Sequence, residues 1–307
     1  PINIEGLEKC LKLNEITFTN VNIYHLIDTV IKCTQLETLN LSQLQNNFLD
    51  ISKLSYLKTL KRISFDYCKG IKNYKTLEGF DNLESLVIHS AFINVDINDF
   101  NECPKLTGVD LTDCRNYSNT NNFLNYKNLT SIILDYSEIS DTSPFSNLPN
   151  LLKLSFVCCN NLYKFKTINH IEFKKLLQIK LDLCMNLSNI SGLSMCPNIE
   201  KISMEKCQKI KEFKIKRKLY KLKTLILNDC KNLKDISGIH NCPNLKYLLL
   251  EKCTSLRKII FQSTFENLKD INLYNSGIEE LFGFKYLPNL EKLTITSYKL
   301  KKNIFSK

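Results

Sequence analysis

One pattern constrains this chain more than any other: a leucine-rich unit that recurs about every 23 residues. On the template L-x-x-L-x-L-x-x-C, the first apolar residue falls at Leu13, Leu36, Leu60, Leu83, Leu106, Leu129, Leu151, Leu176, Ile199, Leu222, Leu245, Leu268 and Leu290. The steps between them are 22 to 25 residues, and the thirteen units cover nearly all of the 307-residue chain. A fixed period of this length marks a repeat architecture, in which each unit buries its apolar face only against its neighbours. Numbering from that first residue, positions 4 and 6 are apolar and alternate with polar neighbours, as a half-buried strand requires. Positions 12 and 15 are usually apolar too, as in Ile210 with Phe213 and Leu233 with Ile236. Three residues before position 1 lies another inward column, and Pro often follows it, as at Pro104, Pro149, Pro197, Pro243 and Pro288. There it ends the preceding turn and enters the strand without having to donate to the ladder. The units starting at Leu129 and Leu268 are shortened, and both replace the cysteine turn with Ser-x-Ile ("YSEIS", "NSGIE").

The cysteines follow the same register. Seven stand at position 9 (Cys68, Cys114, Cys159, Cys184, Cys207, Cys230, Cys253) and five in the column before the strand (Cys10, Cys33, Cys103, Cys196, Cys242). Only Cys158, vicinal to Cys159, lies outside. In one column Cys alternates with Leu, Phe and Tyr, and in the other with Ser, Ala and Val, which is the behaviour of a small buried hydrophobe. An odd number of thiols stacked in like columns argues against a disulfide framework. The expectation is thirteen reduced cysteines with both columns buried, and an intracellular, cytoplasmic setting where thiols stay reduced.

The form "LKTLILNDCKNLKDISGIHNCPNLKYLLLEKC" resembles the cysteine-containing 23-residue units of the leucine-rich repeat superfamily. Similar units occur in plant resistance-type, trypanosomatid and F-box-linked repeat proteins. The resemblance covers about residues 7–300 and implies an α/β solenoid: a horseshoe with a parallel, concave β-sheet and short helical or irregular segments on the convex side. The chain departs from the commonest family pattern in lacking Asn at position 9, where thiols, hydroxyls and small apolar groups stand instead. Thirteen strands about 4.8 Å apart would make a face roughly 60 Å long. The organisation expected is a single repeat domain over 1–307, with a fragment of a longer chain left open because residue 1 is Pro.

Catalytic chemistry finds little support. None of the four histidines (His25, His89, His170, His240) has a metal-ligand spacing with Cys or Asp. No Walker loop, dinucleotide fingerprint, nucleophile elbow or zincin motif occurs, and eight glycines leave little for a phosphate cradle. No catalytic residue, cofactor or metal is expected, and the chain is read as a non-enzyme. Cys158 has Lys153 and Lys180 as neighbouring cations but no histidine to act as its base. The sequons at Asn40, Asn116, Asn128 and Asn186 are of the kind an Asn-rich chain generates by accident. No apolar run is long enough to span a membrane.

What remains is surface. The net charge is +11. Eight of the fifteen residues of "KIKEFKIKRKLYKLK", 209–223, are Lys or Arg, and this stretch falls in the turn and outer edge of one unit. Positions 3, 5, 7 and 8 should face out from the strands. They carry ten acidic and seven basic residues, a net of −3. Tyr and aliphatic residues, including Ile133, Val157, Ile226 and Leu249, interrupt the acids. The partner-binding residues read from this face are Asp66, Tyr67, Asp110, Asp135, Tyr136, Asp182, Glu205, Tyr247, Glu251 and Tyr274. The leading function is a scaffold that binds a protein partner, a basic one if these acids steer it, on the concave face. The alternatives are nucleic-acid or anionic-surface binding through 209–223, and the recognition arm of a larger enzyme complex.

Overall fold

The structure is a computed structural model, and it describes residues 4–23, 25–44, 49–71, 74, 79–91, 95, 97, 103–114 and 117–296. The chain divides into two compact units, Pro1–Ser137 and Glu138–Lys307. The first carries β1 (Glu15–Thr19), β2 (Thr38–Ser42), β3 (Arg62–Asp66), β4 (Ser85–His89), β5 (Gly108–Asp110) and β6 (Ser131–Ile133). The second carries β7 (Lys153–Ser155), β8 (Gln178–Lys180), β9 (Lys201–Ser203), β10 (Thr224–Ile226), β11 (Tyr247–Leu249), β12 (Lys258–Ile260), β13 (Asp270–Leu273), β14 (Glu280–Phe282) and β15 (Lys292–Ile295). Apart from β12 and β14, these are one strand per repeat, thirteen in all. Within each unit the strands pair in parallel in chain order, offset by one repeat, as in Glu15 with Thr38 and Thr224 with Tyr247. Strands β12 and β14 form a small parallel ladder of their own on the far side of the repeat. The bridges Lys164–Asn189 and Glu212–Asp235 lie at the same repeat position. This is a leucine-rich repeat solenoid fold.

Among the described residues the apolar register holds from the second repeat to the twelfth, whereas Leu13 and Phe18 in the first repeat and Leu290, Leu293 and Ile295 in the last are only half-buried. Leu222, Leu225 and Leu227 at positions 1, 4 and 6 are buried, as are Ile210, Leu233 and Leu256 at position 12 and Phe213, Ile236 and Ile259 at position 15. The column before the strand is buried from Cys33 to Leu287. Cys10 is the correction: it is exposed. It follows the 3₁₀ turn Leu7–Lys9, which buries none of its residues, so no apolar layer forms over the thiol. On the outer side of the repeats, short 3₁₀ turns replace longer helices, at Ser52–Tyr56, Asn121–Asn125, Ser143–Asn147, Ser191–Met195 and Ser237–Asn241. Each is started by a side chain two residues ahead that accepts the first N–H, as Asp235 Oδ1 does from Ser237 N at 2.7 Å. That bond satisfies one donor that a helix start leaves orphaned.

Three periodic devices hold the turns. The position-9 thiols do more than fill space. Each of Cys68, Cys114, Cys184, Cys207, Cys230 and Cys253 donates to the position-6 carbonyl of the preceding repeat, with Cys207 Sγ 3.1 Å from Leu181 O. A weak S–H donor thus does the work that Asn does in the commoner repeat. Immediately before position 1, an Asn column bonds a carbonyl of the preceding repeat: Asn198 Nδ2 to Lys174 O at 2.6 Å, and Asn244 Nδ2 to Tyr220 O at 2.7 Å. Position 8 is left-handed in all twelve described repeats, with φ between 51° and 61°, and no glycine occupies it. In ten of these repeats the position-8 N–H donates to the position-7 carbonyl of the next repeat, as from Leu183 N to Glu205 O at 2.7 Å, which helps to hold the conformation. The ladder bond offsets the roughly 1–2 kcal/mol that an L-residue loses there.

Candidate functional site: the strand face of each unit

Strand alternation presents positions 3 and 5 outward, and the left-handed residue then swings positions 7 and 8 onto the same rim. In unit 1 this assembles five of the expected residues on β3–β6. Tyr67 and Tyr136 stand at position 8, three repeats apart, exposed by 49% and 50%. Three strand spacings put them about 14 Å apart. Between and beside them lie Asp66, Asp110 and Asp135, all half-buried, together with Asp113. Thr112 holds Asp110 through both its hydroxyl, at 2.6 Å, and its backbone N–H. The Ser42 hydroxyl donates to Asp66 Oδ2 at 3.0 Å.

His89 belongs to this group, although its spacing gave no sign of it. Its Nε2 lies 3.2 Å from Asp110 Oδ2 and its Nδ1 3.7 Å from Asp66 Oδ1. The Nε2 contact is off the line of a good hydrogen bond, so its character is mainly charge to charge. Contact with Asp110 raises the His89 pKa, burial opposes it, and the charges of Asp110 and Asp66 add to the rise. For Asp110, burial pushes the carboxyl up, but the close contact with His89 and the hydrogen bonds from Thr112 outweigh it and hold the group low. The signal that could have found His89 is its position: it is the position-7 residue between repeats that carry Asp66 and Asp110.

In unit 2 the expected residues are more dispersed. Tyr247 at position 3 and Tyr274 at position 7 are exposed, and Glu205 and Glu251 are half-buried. Asp182 is a second correction. Expected to face solvent, it is 7% exposed. Its Oδ1 accepts the Ser203 hydroxyl at 2.6 Å and the Glu205 N–H at 2.8 Å. Here the position-7 side chain of the preceding repeat closes on a position-7 N–H, whereas the position-7 N–H of Thr112 and Tyr274 bonds the position-5 side chain of its own repeat. Asn228 Oδ1 does the same for Glu251 N at 2.9 Å. Val157, expected on the open face, is buried as well. Several of this unit's acids meet lysines, with Glu251 2.9 Å from Lys252 and Asp270 3.5 Å from Lys292.

The two faces therefore differ in charge. At positions 3, 5, 7 and 8, unit 1 has five acids against Arg62 alone, whereas unit 2 has five acids against six lysines. Whole-unit charges diverge further. Unit 1 has 13 Lys/Arg and 16 Asp/Glu, a net of −3; unit 2 has 29 and 15, a net of +14.

Among the described residues, no group of three or more His, Cys, Asp or Glu is placed to hold a metal ion, and no helix is long and apolar enough to cross a membrane. Cys158 is half-buried in the left-handed row, and the sequon Asn116 lies outside the described residues.

The class that this fold defines is the leucine-rich repeat superfamily, and the chain belongs to it. Residues 186–305 match the family described as "At1g61320/AtMIF1, LRR domain", and residues 50–180 match "BspA type Leucine rich repeat region (6 copies)". No curated protein sequence matches the chain. Among solved structures, an internalin (inlF) from Listeria monocytogenes is similar over 94% of this chain and 89% of its own, at 19% identity and TM-score 0.52. The TLR13–ssRNA13 complex is similar over 94% of this chain, at 20% identity and TM-score 0.64. This chain covers 48% of that TLR13 chain. At these identities the likeness is one of fold.

Proposed function

We propose that the protein is a non-catalytic interaction module that binds a protein partner on its strand face, the concave side of such a solenoid. The observation that carries this reading is the face of β3–β6. Four aspartates lie there between two half-exposed tyrosines on backbone fixed in the left-handed region. Rigid aromatic anchors of this kind are favoured at interface cores. A surplus of acid steers a basic segment toward them. In unit 2, Tyr247 and Tyr274 with Glu205 and Glu251 extend the reading, whereas Asp182 leaves it as a structural residue. We read 1–307 as one repeat domain, because the register runs through both units without a missing repeat. The free, mostly buried thiols favour a reducing, intracellular setting.

The test is to place a photo-crosslinking amino acid at position 136 or 247, irradiate in native lysate and identify the adduct. Once the partner is in hand, Tyr136→Ala and Tyr247→Ala should each weaken binding by about 1–2 kcal/mol. Asp135→Asn with Glu205→Gln should mainly slow association and reduce its salt sensitivity. A partner that crosslinks only through outer-side positions, with both tyrosine variants binding normally, would overturn the assignment.

A further inference from the structure

The +14 charge of unit 2 is not spread evenly. Phe165 and Phe213 anchor two irregular outer segments, in the repeats that begin at Leu151 and Ile199. Those segments meet across the intervening repeat, where Arg217 reaches Glu172 at 2.7 Å. The junction gathers Lys174, Lys175, Lys216, Lys218 and Lys221, all exposed. Among the described residues none of the five has an acidic partner at ion-pair distance; Lys175 bonds only the neutral Asn150. Lys175 and Lys221 hold the same position two repeats apart, so two strand spacings separate them by about 10 Å. Tyr220 stands among these lysines, 58% exposed, with Lys218 Nζ 5.9 Å from its ring centroid.

We propose that this patch of unit 2 binds single-stranded nucleic acid, the lysines taking phosphates and Tyr220 stacking a base. Cations without acidic partners clustered around an exposed tyrosine are what an unstacked strand requires. A lipid surface would call for several protruding aliphatic side chains; here Ile215 and Leu219 are buried, and Ile171, 38% exposed, is a single aliphatic side chain beside five cations. The patch lies away from the strand face, and the proposal is independent of the partner reading above.

The probe is fluorescein-labelled U20 RNA, followed by anisotropy with the full chain. Five phosphate contacts imply a log–log salt slope of about −3.5, or about 100-fold weaker binding at 200 mM than at 50 mM salt. Replacing the five lysines with Gln should flatten that slope and abolish most binding. Tyr220→Ala should weaken U20 binding about 10-fold and leave binding to heparin unchanged, because a polysaccharide offers no base to stack. Far-UV circular dichroism should be unaltered, since all six side chains are exposed. Tyr136→Ala should bind U20 normally. The proposal is overturned by the absence of U20 binding at 50 mM salt or by a quintuple variant that binds like the parent. It is equally overturned by a Tyr220→Ala effect that is absent or shared with heparin, or by phosphatidylserine vesicles binding through the same lysines in preference to U20.

Discussion

The cysteine columns should make this protein unusually sensitive to alkali, by an amount that follows from their burial. In unit 2, burial pushes the thiols of Cys242 and Cys253 up to about 12, and those of Cys184, Cys196, Cys207 and Cys230 higher still. In the unfolded chain each returns to about 9. A thiol whose folded pKa is raised favours the folded state fully below the unfolded value. That contribution is lost as pH climbs from there toward the folded value, because the unfolded chain sheds protons that the native state keeps. Each thiol then costs roughly half a kcal/mol at pH 9 and somewhat under 1 kcal/mol at pH 9.5. Six together remove about 2–3 kcal/mol at pH 9 and about 5 at pH 9.5. That is a large part of the 5–15 kcal/mol that domains generally have.

In unit 1, burial likewise pushes the Cys114 thiol up to about 12 and raises those of Cys33 and Cys68. Unit 2 buries seven thiols against four in unit 1 and should therefore fail first. The assay is urea unfolding under a thiol-free reductant from pH 7 to 9.5. It is read by far-UV circular dichroism, because the chain has no Trp. The exposed lysines with raised pKa values, such as Lys252 and Lys269, act above this window. A triple variant, Cys207→Ala with Cys230→Ala and Cys253→Ala, starts from lower stability but should show about half the pH dependence of unit 2. A parent whose stability changes by less than about 1 kcal/mol between pH 7 and 9.5 would show that the columns are not buried thiols.

Leu225→Ala should cost about 2–5 kcal/mol in urea unfolding, whereas Ile226→Ala, on the open side of the same strand, should cost less than about 1; equal costs would refute the register. The His89 ring should titrate by NMR above the usual histidine midpoint, and Asp110→Asn should bring it down. The stability that His89 contributes is present at low pH and is lost as pH rises through its folded pKa. An unshifted His89 midpoint would remove it from the acidic group.

Much of this architecture is legible in the sequence, because buried positions in a solenoid have few solutions. Position 6 meets the same neighbours in every repeat, so Leu227 and Leu250 answer the same packing problem. The thiol columns are readable as buried for the same reason. Their hydrogen bonds are not, since a pattern of burial does not say which way a side chain points. Two further devices do leave marks. An Asn stands just before position 1 in seven units, from Asn82 to Asn289, each time followed by the strand's first apolar residue. Position 8 never carries Val, Ile or Thr in thirteen units, which is what left-handed backbone requires, since β-branched residues fit it worst. Asp182 shows where the reading fails. Alternation assigns it to solvent, but its fate depends on a backbone N–H one repeat away, and a one-dimensional pattern carries no term for that closure.

The same logic explains why the fold and the function are written in different residues. Core columns must repeat, so they carry no information about a partner. Recognition has to reside where the repeats differ, and they differ most at positions 3, 5, 7 and 8 and along the outer segments. At position 8 the backbone is alike in Tyr67, Ser90, Asp113 and Tyr136, while the side chains range from aromatic to acidic. At Tyr67, Ser90 and Asp113 the conformation is fixed by the ladder bond to the next repeat, which makes no demand on the side chain beyond avoiding β-branching. Such a row can change its chemistry residue by residue at little cost in stability. By this criterion Tyr67 and Tyr136 are the strongest candidates for selection by a partner: each is large, apolar and half-exposed on a rigid site that would accept a smaller polar residue equally well.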